Sequence, residues 1–390
     1  MRRCAQGDWP AAQELNRQAM ALAPQHPHVL ADAGLCHLRL GEYELARQAY
    51  AWACERAPSD PNMWDGLTEA CGHLGLHAQV RLHGRHALGL KHAQTRDVSP
   101  RSLSNVPLAK QVLHSRQVIA FSLFGQNPRY CETAILNVQQ AKRLLPDWVC
   151  RFYLDDSVPE GVCLRLEAME AQVHRVSAAD QVELSPLMWR FLVLADDQID
   201  RFLLRDADSL ISSREQAAVQ AWLDSGCHFH LMRDYFTHTE LLLAGMWGGC
   251  AGVWPDVREL MLSFGREGKF LTQRVADQHF LRRHIWPTVQ QSLCSHDPVF
   301  SFMGGMDFPA HPPHGLGEDF HVGCNLSTMA ISAPSTLPDG QSVHWQLQDE
   351  QGREVCSYAS PVRQGKWLAD LPRPYIEQLQ QRRWSVKLLP

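Results

Sequence analysis

The sequence predicts two architectures in one chain: an N-terminal helical solenoid, and then a mainly parallel sheet that is covered by helices. Three observations lead to this prediction. Glycines and small residues recur with a period of 34 residues in the N-terminal quarter of the chain. From Gln117 onward, short apolar runs alternate with helical patterns, which is the order typical of an α/β fold. One of these apolar runs ends in two carboxylates, Asp206 and Asp208.

The repeat is clearest at Gly7, Gly41 and Gly75, which are spaced 34 residues apart. An aromatic residue and an alanine follow the first two glycines at the same offsets, whereas the third copy is degraded, as is common in a terminal repeat. Glycine lets a helix end tightly, and a proline begins the turn into the next repeat. The pattern resembles the tetratricopeptide repeat, a family that usually binds a peptide or a protein partner on its concave face.

The composition is that of a soluble globular protein. The 390 residues are 45% hydrophobic and 20% charged, and the formal net charge is -5. This balance gives no reason to expect a nucleic acid or a membrane surface as partner. No apolar run approaches the roughly 18 residues of a membrane span, and the first residues lack the apolar core of a secretory signal. Because the twelve cysteines form no Cys-x-x-Cys pair, we expect reduced thiols and a cytoplasmic location.

Shifts in composition divide the chain into four predicted segments. A polar, proline-broken stretch separates the repeats from the sheet region. After the sheet region, an alternating stretch from Ser342 and a helical stretch from Pro374 predict a hairpin and a helix, to which we assign no chemistry. The predicted segments are a repeat domain at 1-95, a linker at 96-115, a sheet domain at 116-325 and a C-terminal extension at 326-390.

Polar residues follow the first two predicted strands of the sheet domain. Ser122 lies at the end of the first strand, Asn127 precedes the helix after it, and Asp155 ends the second strand. In parallel sheets of this kind, ligands bind beyond the carboxyl ends of the strands. We therefore expect these three residues and Asp156 on the ligand-binding edge, where Asp155 or Asp156 could accept hydrogen bonds from a base or a ribose.

Asp206 and Asp208 follow the buried run that ends at Arg205. Two carboxylates at positions i and i+2 can reach one hard divalent cation, which in turn holds substrate phosphates. Arg205, and Arg190 on the preceding predicted helix, are candidates for bidentate contacts with phosphate. The alternatives are a solvated turn for the two carboxylates and a core-lining arginine at Arg190.

Three later features complete the candidate site. Gly245 and Trp247 lie where an apolar run breaks into glycines, so the backbone could approach a ligand and the indole could stack on a sugar; a core tryptophan is the alternative. Asp277 and Gln278 open a predicted helix, where an aspartate is also favoured by the helix dipole alone. His296 ends a short apolar stretch.

This ordered set resembles the GT-A glycosyltransferases, and in particular the retaining galactosyltransferase and glycogenin-like families. The resemblance implies a Rossmann-like GT-A fold in which Asp206, Asp208 and His296 bind Mn²⁺ or Mg²⁺. It also implies that the metal grips a nucleotide-sugar diphosphate, with Asp277 and Gln278 near the reacting sugar carbon. The sequence departs from these families in lacking the motif His-x-x-Gly-x-x-Lys-Pro-Trp. Stretches around Ser122, Asp206 and Gly245 are also similar to an uncharacterised bacterial glycosyltransferase group.

The resemblance implies a metal-dependent glycosyltransferase that moves a sugar from a nucleotide sugar, with a UDP-sugar as the expected donor, to a protein, peptide or glycan. The repeats would recruit the acceptor or a partner protein. If the enzyme inverts, Asp277 deprotonates the acceptor hydroxyl; if it retains, Asp277 or Gln278 orients the sugar. Two alternatives stay open: a non-catalytic repeat scaffold with an inactive sheet domain, and a haloacid-dehalogenase-like phosphatase with Asp206 as its nucleophile.

Overall fold

The computed structural model describes residues 9–108, 116–268, 276–313, 317, 320–325 and 329–389. Gly7 and the N-terminal residues considered for a secretory signal lie outside the described residues. The chain divides into two compact units, called here the repeat unit and the sheet unit. The repeat unit comprises Met1–Ser102, His230–Leu243 and Gln278–Phe308, and the sheet unit comprises Leu103–Phe229, Ala244–Asp277 and Pro309–Pro390.

Paired antiparallel helices form the N-terminal part of the repeat unit, which confirms the predicted solenoid. Gly41 and Gly75 adopt positive φ angles of 78° and 70° in two of the inter-helix turns, so glycine is favoured there. Ala46, Ala53 and Ala87 are fully buried, and their small side chains let neighbouring helices approach. The helices are α1 (Trp9–Leu22), α2 (Pro27–Arg39), α3 (Tyr43–Arg56), α4 (Pro61–His73) and α5 (His77–Ala93).

The last repeat packs on later segments of the same unit. A Cβ atom on Gly72 of α4 would lie 2.1 Å from Cγ of Phe236, and one on Gly84 of α5 would lie 2.2 Å from Cε1 of Phe300. The buried Lys91 ammonium donates to Asp65 and to the Thr239 carbonyl, each at 2.8 Å. These later segments therefore belong to the hydrophobic core of the repeats, and not only to the sheet region that the sequence predicted.

Before the C-terminal region, the described residues of the sheet unit form five neighbouring strands in the order β3-β2-β1-β4-β6. The first four are parallel, and β6 pairs antiparallel with β4, so the sheet is mixed. Every residue of β1 and β4 is buried, as expected for central strands covered on both faces. The strands are β1 (Gln117–Leu123), β2 (Trp148–Leu154), β3 (Gln172–Arg175), β4 (Arg201–Arg205) and β6 (Met246–Cys250).

Helices connect these strands, as expected for an α/β order. The segment Pro186–Ala195, which carries Arg190, is a tighter 3-10 helix. The α-helices are α6 (Pro128–Leu144), α7 (Glu160–Ala168), α8 (Ala178–Glu183), α9 (Ser213–Asp224) and α10 (Val257–Glu267).

The remaining elements of this region belong wholly or mainly to the repeat unit. Strands β5 (Phe229–Met232) and β7 (Leu293–His296) are neighbours, and the Arg233 backbone N–H donates to the His296 carbonyl at 2.8 Å. A helical stretch precedes β7: α11 (Ala276–Phe280), a π-helical turn (Leu281–Ile285) and α12 (Trp286–Val289).

The C-terminal region forms a five-stranded antiparallel sheet in the order β12-β9-β10-β11-β8, which is larger than the predicted hairpin. It is joined to α6 by a buried polar cluster around Glu132. This carboxylate accepts a bidentate contact from Arg165 at 2.8 and 2.9 Å and the hydroxyls of Tyr358 and Tyr375 at 2.6 and 3.0 Å. The elements are β8 (Met329–Pro334), β9 (Ser342–Gln348), β10 (Glu354–Arg363), β11 (Lys366–Leu371), α13 (Arg373–Gln380) and β12 (Ser385–Leu388).

Candidate functional site

The candidate site lies in the sheet unit, at the carboxyl end of β4. Asp206 and Asp208 follow this strand directly, and their side chains are 40% and 18% exposed. Phe121 of β1 pairs with Arg205 of β4 in the parallel register, so Ser122 is next to this strand end. The pattern of an apolar strand followed by acidic residues thus presents two carboxylates at the edge where parallel sheets bind ligands.

Arg190 connects the residues of the candidate site through its hydrogen bonds. Its guanidinium donates to Asp206 Oδ1 at 2.5 Å, to the Arg205 carbonyl at 3.0 Å and to Asp277 Oδ2 at 3.1 Å. Its backbone N–H donates to Ser122 Oγ at 2.9 Å. Ser122, Arg190, Asp206 and Asp277, together with the backbone carbonyl of Arg205, are therefore in one hydrogen-bonded group.

The charge of Arg190 is maintained although the side chain is only 3% exposed. Burial by itself lowers the pKa of this guanidinium, but the carboxylates of Asp206 and Asp277 outweigh that effect and raise the pKa above its ordinary value. A buried arginine with two carboxylate partners satisfies the requirement that a desolvated charge be paired. Arg190 is thus a fixed cationic centre between the two aspartates.

Arg129 was not selected from the sequence, but it contacts the second carboxylate of the motif. Its Nη2 donates to Asp208 Oδ2 at 2.8 Å from the first turn of α6. The start of this helix is set by Asn127, whose side chain accepts the Arg129 backbone N–H at 3.0 Å. Asn127 is therefore a helix cap here. The position of Arg129, two residues beyond the asparagine that precedes the helix, was the available sequence signal.

The ionised form of Asp208 remains disfavoured although Arg129 is its partner. Burial raises the pKa of its carboxyl group, the nearby charge of Asp206 raises it further, and the contact with Arg129 only partly opposes these effects. Two carboxylates in one partly buried site repel each other when both are ionised. Additional positive charge at this strand end would relieve that repulsion.

Gly245 is required by the position of Asp206. A Cβ atom on Gly245 would lie 2.1 Å from Asp206 Oδ2 and 2.7 Å from the Asp206 backbone nitrogen. Contacts this short do not occur between real atoms, so a larger residue would displace the carboxylate or the strand end. The predicted close approach of backbone is therefore present at Gly245, and what it meets in the structure is Asp206.

Trp247 and Arg205 lie in the interior of the sheet unit. The Trp247 ring is completely buried, with its centroid 5.2 Å from that of Phe202 and 6.5 Å from that of Trp254. Arg205 Nε donates to Glu215 Oε1 at 2.6 Å, and both of these side chains are buried. These contacts favour the core-tryptophan interpretation and give Arg205 a structural partner in place of a ligand.

Asp155 lies in the turn that follows β2. It accepts the backbone N–H of Ser157 at 3.1 Å, and the Ser157 hydroxyl accepts the Gly125 backbone N–H at 2.6 Å. These contacts tie the turn after β2 to the turn after β1. Asp155 is therefore at the predicted edge of the sheet, in a turn-stabilising arrangement.

Gln278 and His296 belong to the repeat unit. His296 is buried on β7, its ring centroid is 5.4 Å from that of Phe308, and burial lowers its pKa. Its Nδ1 has no hydrogen-bond partner among the described residues. The role of Gln278 in catalysis and the role of His296 as a metal ligand stay predictions.

A cavity of about 700 Å³ lies in the sheet unit beside the 3-10 helix that carries Arg190. Its walls include Met188, Met261, Phe264 and Ala276. Met188 precedes Trp189-Arg190 in the 3-10 helix, and Ala276 precedes Asp277, so two of its wall residues are sequence neighbours of the charged group. Its walls combine apolar side chains with polar ones such as Gln181 and Glu183.

Comparison with known proteins identifies the N-terminal part of the chain. No curated protein matches the sequence. Two solved structures align with about half of the chain. One is an O-GlcNAc transferase mutant of Thermobaculum terrenum, which is 16% identical with a TM-score of 0.27 and covers 52% of this chain. The other is a mannosyltransferase of Pyrobaculum calidifontis in complex with GDP-Man and Mn2+, which is 10% identical with a TM-score of 0.28 and covers 56% of this chain. The alignments span 44% and 62% of those chains. No described helix is long and apolar enough to cross a membrane. The tetratricopeptide repeat family model matches residues 4–70, so tetratricopeptide repeats are present in that part of the chain.

Proposed function

We propose that this protein is a glycosyltransferase that uses a divalent cation, Mn²⁺ or Mg²⁺, to hold a nucleotide-sugar donor at the carboxyl end of β4. The observation that supports this proposal most is the group formed by Asp206, Asp208, Asp277, Arg129 and Arg190. Three carboxylates and two guanidinium groups meet there through contacts of 2.5 to 3.1 Å. A sheet edge with this mixture of charges suits a ligand that brings both a cation and phosphates.

The residues at this strand end fit a hard divalent cation. Asp206 and Asp208 supply carboxylate oxygens, which Mn²⁺ and Mg²⁺ prefer, and the side chain of Asp206 is 40% exposed. Gly245 leaves space for the Asp206 carboxylate that any Cβ atom would fill. When bound, such a cation neutralises the negative charge that develops on a departing nucleoside diphosphate. The proposed ligands within the sheet unit are Asp206 and Asp208.

The protein's own side chains would position the reaction. Arg190 holds Asp206 and Asp277 in fixed orientations through two separate nitrogens, so a displacement of one carboxylate is transmitted to the other. Asp277 is 6% exposed and so is largely shielded from water. In an inverting reaction this carboxylate accepts the proton of the acceptor hydroxyl; in a retaining reaction it orients the donor sugar.

The acceptor would enter from the cavity beside the 3-10 helix. Its wall residues Met188 and Ala276 are sequence neighbours of Arg190 and Asp277, and its volume of about 700 Å³ suits a sugar or a short peptide segment. The repeats would contribute by binding a partner or a protein acceptor. Trp52, which is 49% exposed on α3, is one apolar side chain available for such a contact.

The proposal is tested by incubating the protein with Mn²⁺ and a panel of UDP- and GDP-sugars, and by following donor consumption and self-glycosylation by mass spectrometry. Asp208→Asn and Asp206→Asn should abolish metal-dependent turnover while the circular dichroism spectrum stays unchanged. Asp224→Asn, at the end of α9, is the matched control. Full turnover of the nucleotide sugar by either site variant would refute the proposed function.

The same preparations separate the competing functions. Hydrolysis of p-nitrophenyl phosphate without donor turnover would favour the phosphatase alternative. If neither Mn²⁺ nor UDP or GDP binds in a calorimeter, in either order of addition, the non-catalytic scaffold becomes the better description. Under our proposal, nucleotide binding depends on the cation and the phosphatase substrate is not consumed.

A further inference from the structure

We propose that Arg129 is an exchangeable counter-ion. It neutralises Asp208 while no divalent cation is bound, and it transfers to a phosphate oxygen of the nucleotide when a cation takes its place on Asp208. This inference rests on the proposed function and adds to it a positioning residue that moves during binding. It therefore predicts opposite effects of Arg129 on the binding of metal and of nucleotide.

The two arginines of the site differ in how firmly they are held. Arg190 is 3% exposed and donates to two carboxylates and one carbonyl. Arg129 is 28% exposed, and its recorded acceptor at the site is one oxygen of Asp208. The Arg129 Nε is buried and has no hydrogen-bond partner among the described residues. Arg129 would therefore break fewer hydrogen bonds than Arg190 if it exchanged its acceptor.

The charges of the site explain why Arg129 would leave. With both arginines in place, three carboxylates and two guanidinium groups leave one negative charge uncompensated. A dication on Asp208 would lie within a few ångströms of the Arg129 guanidinium, and like charges at such separations repel strongly in a partly buried site. A diphosphate then supplies the acceptor that Arg129 needs, because guanidinium groups bind phosphate oxygens in a bidentate manner.

The main chain of Arg129 is held independently of its side chain. Its N–H is capped by Asn127 at 3.0 Å, and Pro128 supplies the preset φ angle at the start of α6. The guanidinium also lies 5.2 Å from the ring centroid of Tyr130, which is 36% exposed. The side chain can therefore change rotamer without unwinding the helix.

The experiment measures two affinities by calorimetry: that for Mn²⁺ alone, and that for UDP or GDP at saturating Mn²⁺. The variants are Arg129→Gln and Arg129→Lys. The control is Arg258→Gln, since Arg258 is 35% exposed and donates to Asp180 at 2.7 Å and to Glu183 at 2.9 Å, neither of which is a proposed ligand of the cation. Thermal unfolding of each variant confirms that it is folded.

Arg129→Gln should bind Mn²⁺ on the order of ten-fold more tightly than the wild type, because a competing cation has been removed, and the nucleotide on the order of ten-fold more weakly. Arg129→Lys keeps the charge but loses the planar fork, so its Mn²⁺ affinity should stay near the wild-type value while nucleotide binding weakens. Arg258→Gln should change neither affinity.

The inference would be overturned if the affinities for Mn²⁺ and for the nucleotide changed in the same direction, or if neither changed. If Arg129→Gln weakens both ligands, Arg129 merely supports Asp208; if it alters neither, Arg129 is a bystander. Should Arg129→Gln fail to fold, unchanged nucleotide affinity in Arg129→Lys would likewise refute the exchange. If the wild-type protein binds neither Mn²⁺ nor nucleotide, the proposed function itself fails, and the inference fails with it.

Discussion

Replacement of Gly245 by alanine tests whether the position of Asp206 governs the site. The added Cβ would lie 2.1 Å from Asp206 Oδ2, 2.6 Å from its Cγ and 2.7 Å from its backbone nitrogen. The last of these atoms cannot move without moving the end of β4. Asp206 must therefore change its position, and its 2.5 Å contact with Arg190 is disturbed.

Overpacking of this kind usually costs about 1–3 kcal/mol. In a unit of this size, each kcal/mol lowers the melting temperature by roughly 2–4 °C. Gly249 on β6, four residues after Gly245, provides a matched control, because a Cβ there would lie 2.3 Å from Phe229 Cδ1 and would meet only aromatic ring atoms. Both alanine variants should lose comparable stability, and only Gly245→Ala should also lose ligand affinity.

The assay combines thermal unfolding with calorimetric titration of Mn²⁺ followed by UDP or GDP. We expect Gly245→Ala to weaken metal-dependent nucleotide binding by at least ten-fold, while Gly249→Ala remains within about two-fold of the wild type. Ten-fold corresponds to about 1.4 kcal/mol, less than the usual loss of a hydrogen bond to a charged group. Wild-type affinity in Gly245→Ala, or an equal loss in Gly249→Ala, would refute the proposed dependence on Asp206.

Two further predictions concern buried charges outside the site. Burial alone would raise the pKa of Glu240, but Lys91 and Arg282 outweigh burial and lower it to about 2. The ionised Glu240 carboxylate should thus stabilise the protein by on the order of 3 kcal/mol above pH 4.5, and this contribution should be lost as the pH falls towards 2. The difference in unfolding free energy between the wild type and Glu240→Gln should therefore shrink between pH 4.5 and pH 2. A constant difference would contradict the prediction. Glu132→Leu should lower the free energy of unfolding in urea by about 3–5 kcal/mol, because Arg165 and two tyrosine hydroxyls lose their acceptor. Tyr358→Phe should lower it by about 1–2 kcal/mol. Near-neutral effects would argue against a structural role for Glu132.

The elements that were predictable from sequence are those determined by local pattern. The continuous apolar runs of β1 and β4 could be recognised because both faces of a central strand are covered. The repeat glycines Gly41 and Gly75 could be recognised because the turn geometry favours glycine. Asp206 and Asp208 follow β4 directly, so their place at the edge of the sheet followed from the end of the strand.

Contacts between distant parts of the chain could not be predicted in this way. Arg129 meets Asp208 across 79 sequence positions, and Glu132 meets Tyr375 across 243. No local pattern specifies such pairs, because they depend on how α6 packs against β4 and against the C-terminal sheet. The same holds for Trp247, whose pairing with Leu204 across β6 and β4 places it in the core.

The cluster around Glu132 also limits how the protein can be shortened. A fragment ending near residue 325 would keep Glu132 and Arg165 but would lose the hydroxyls of Tyr358 and Tyr375. Such a fragment would expose to solvent a carboxylate-bearing helix face that is buried in the whole chain. The C-terminal sheet is therefore inseparable from the domain that carries the site, and genetic dissection of the two requires substitutions at single positions instead of deletions.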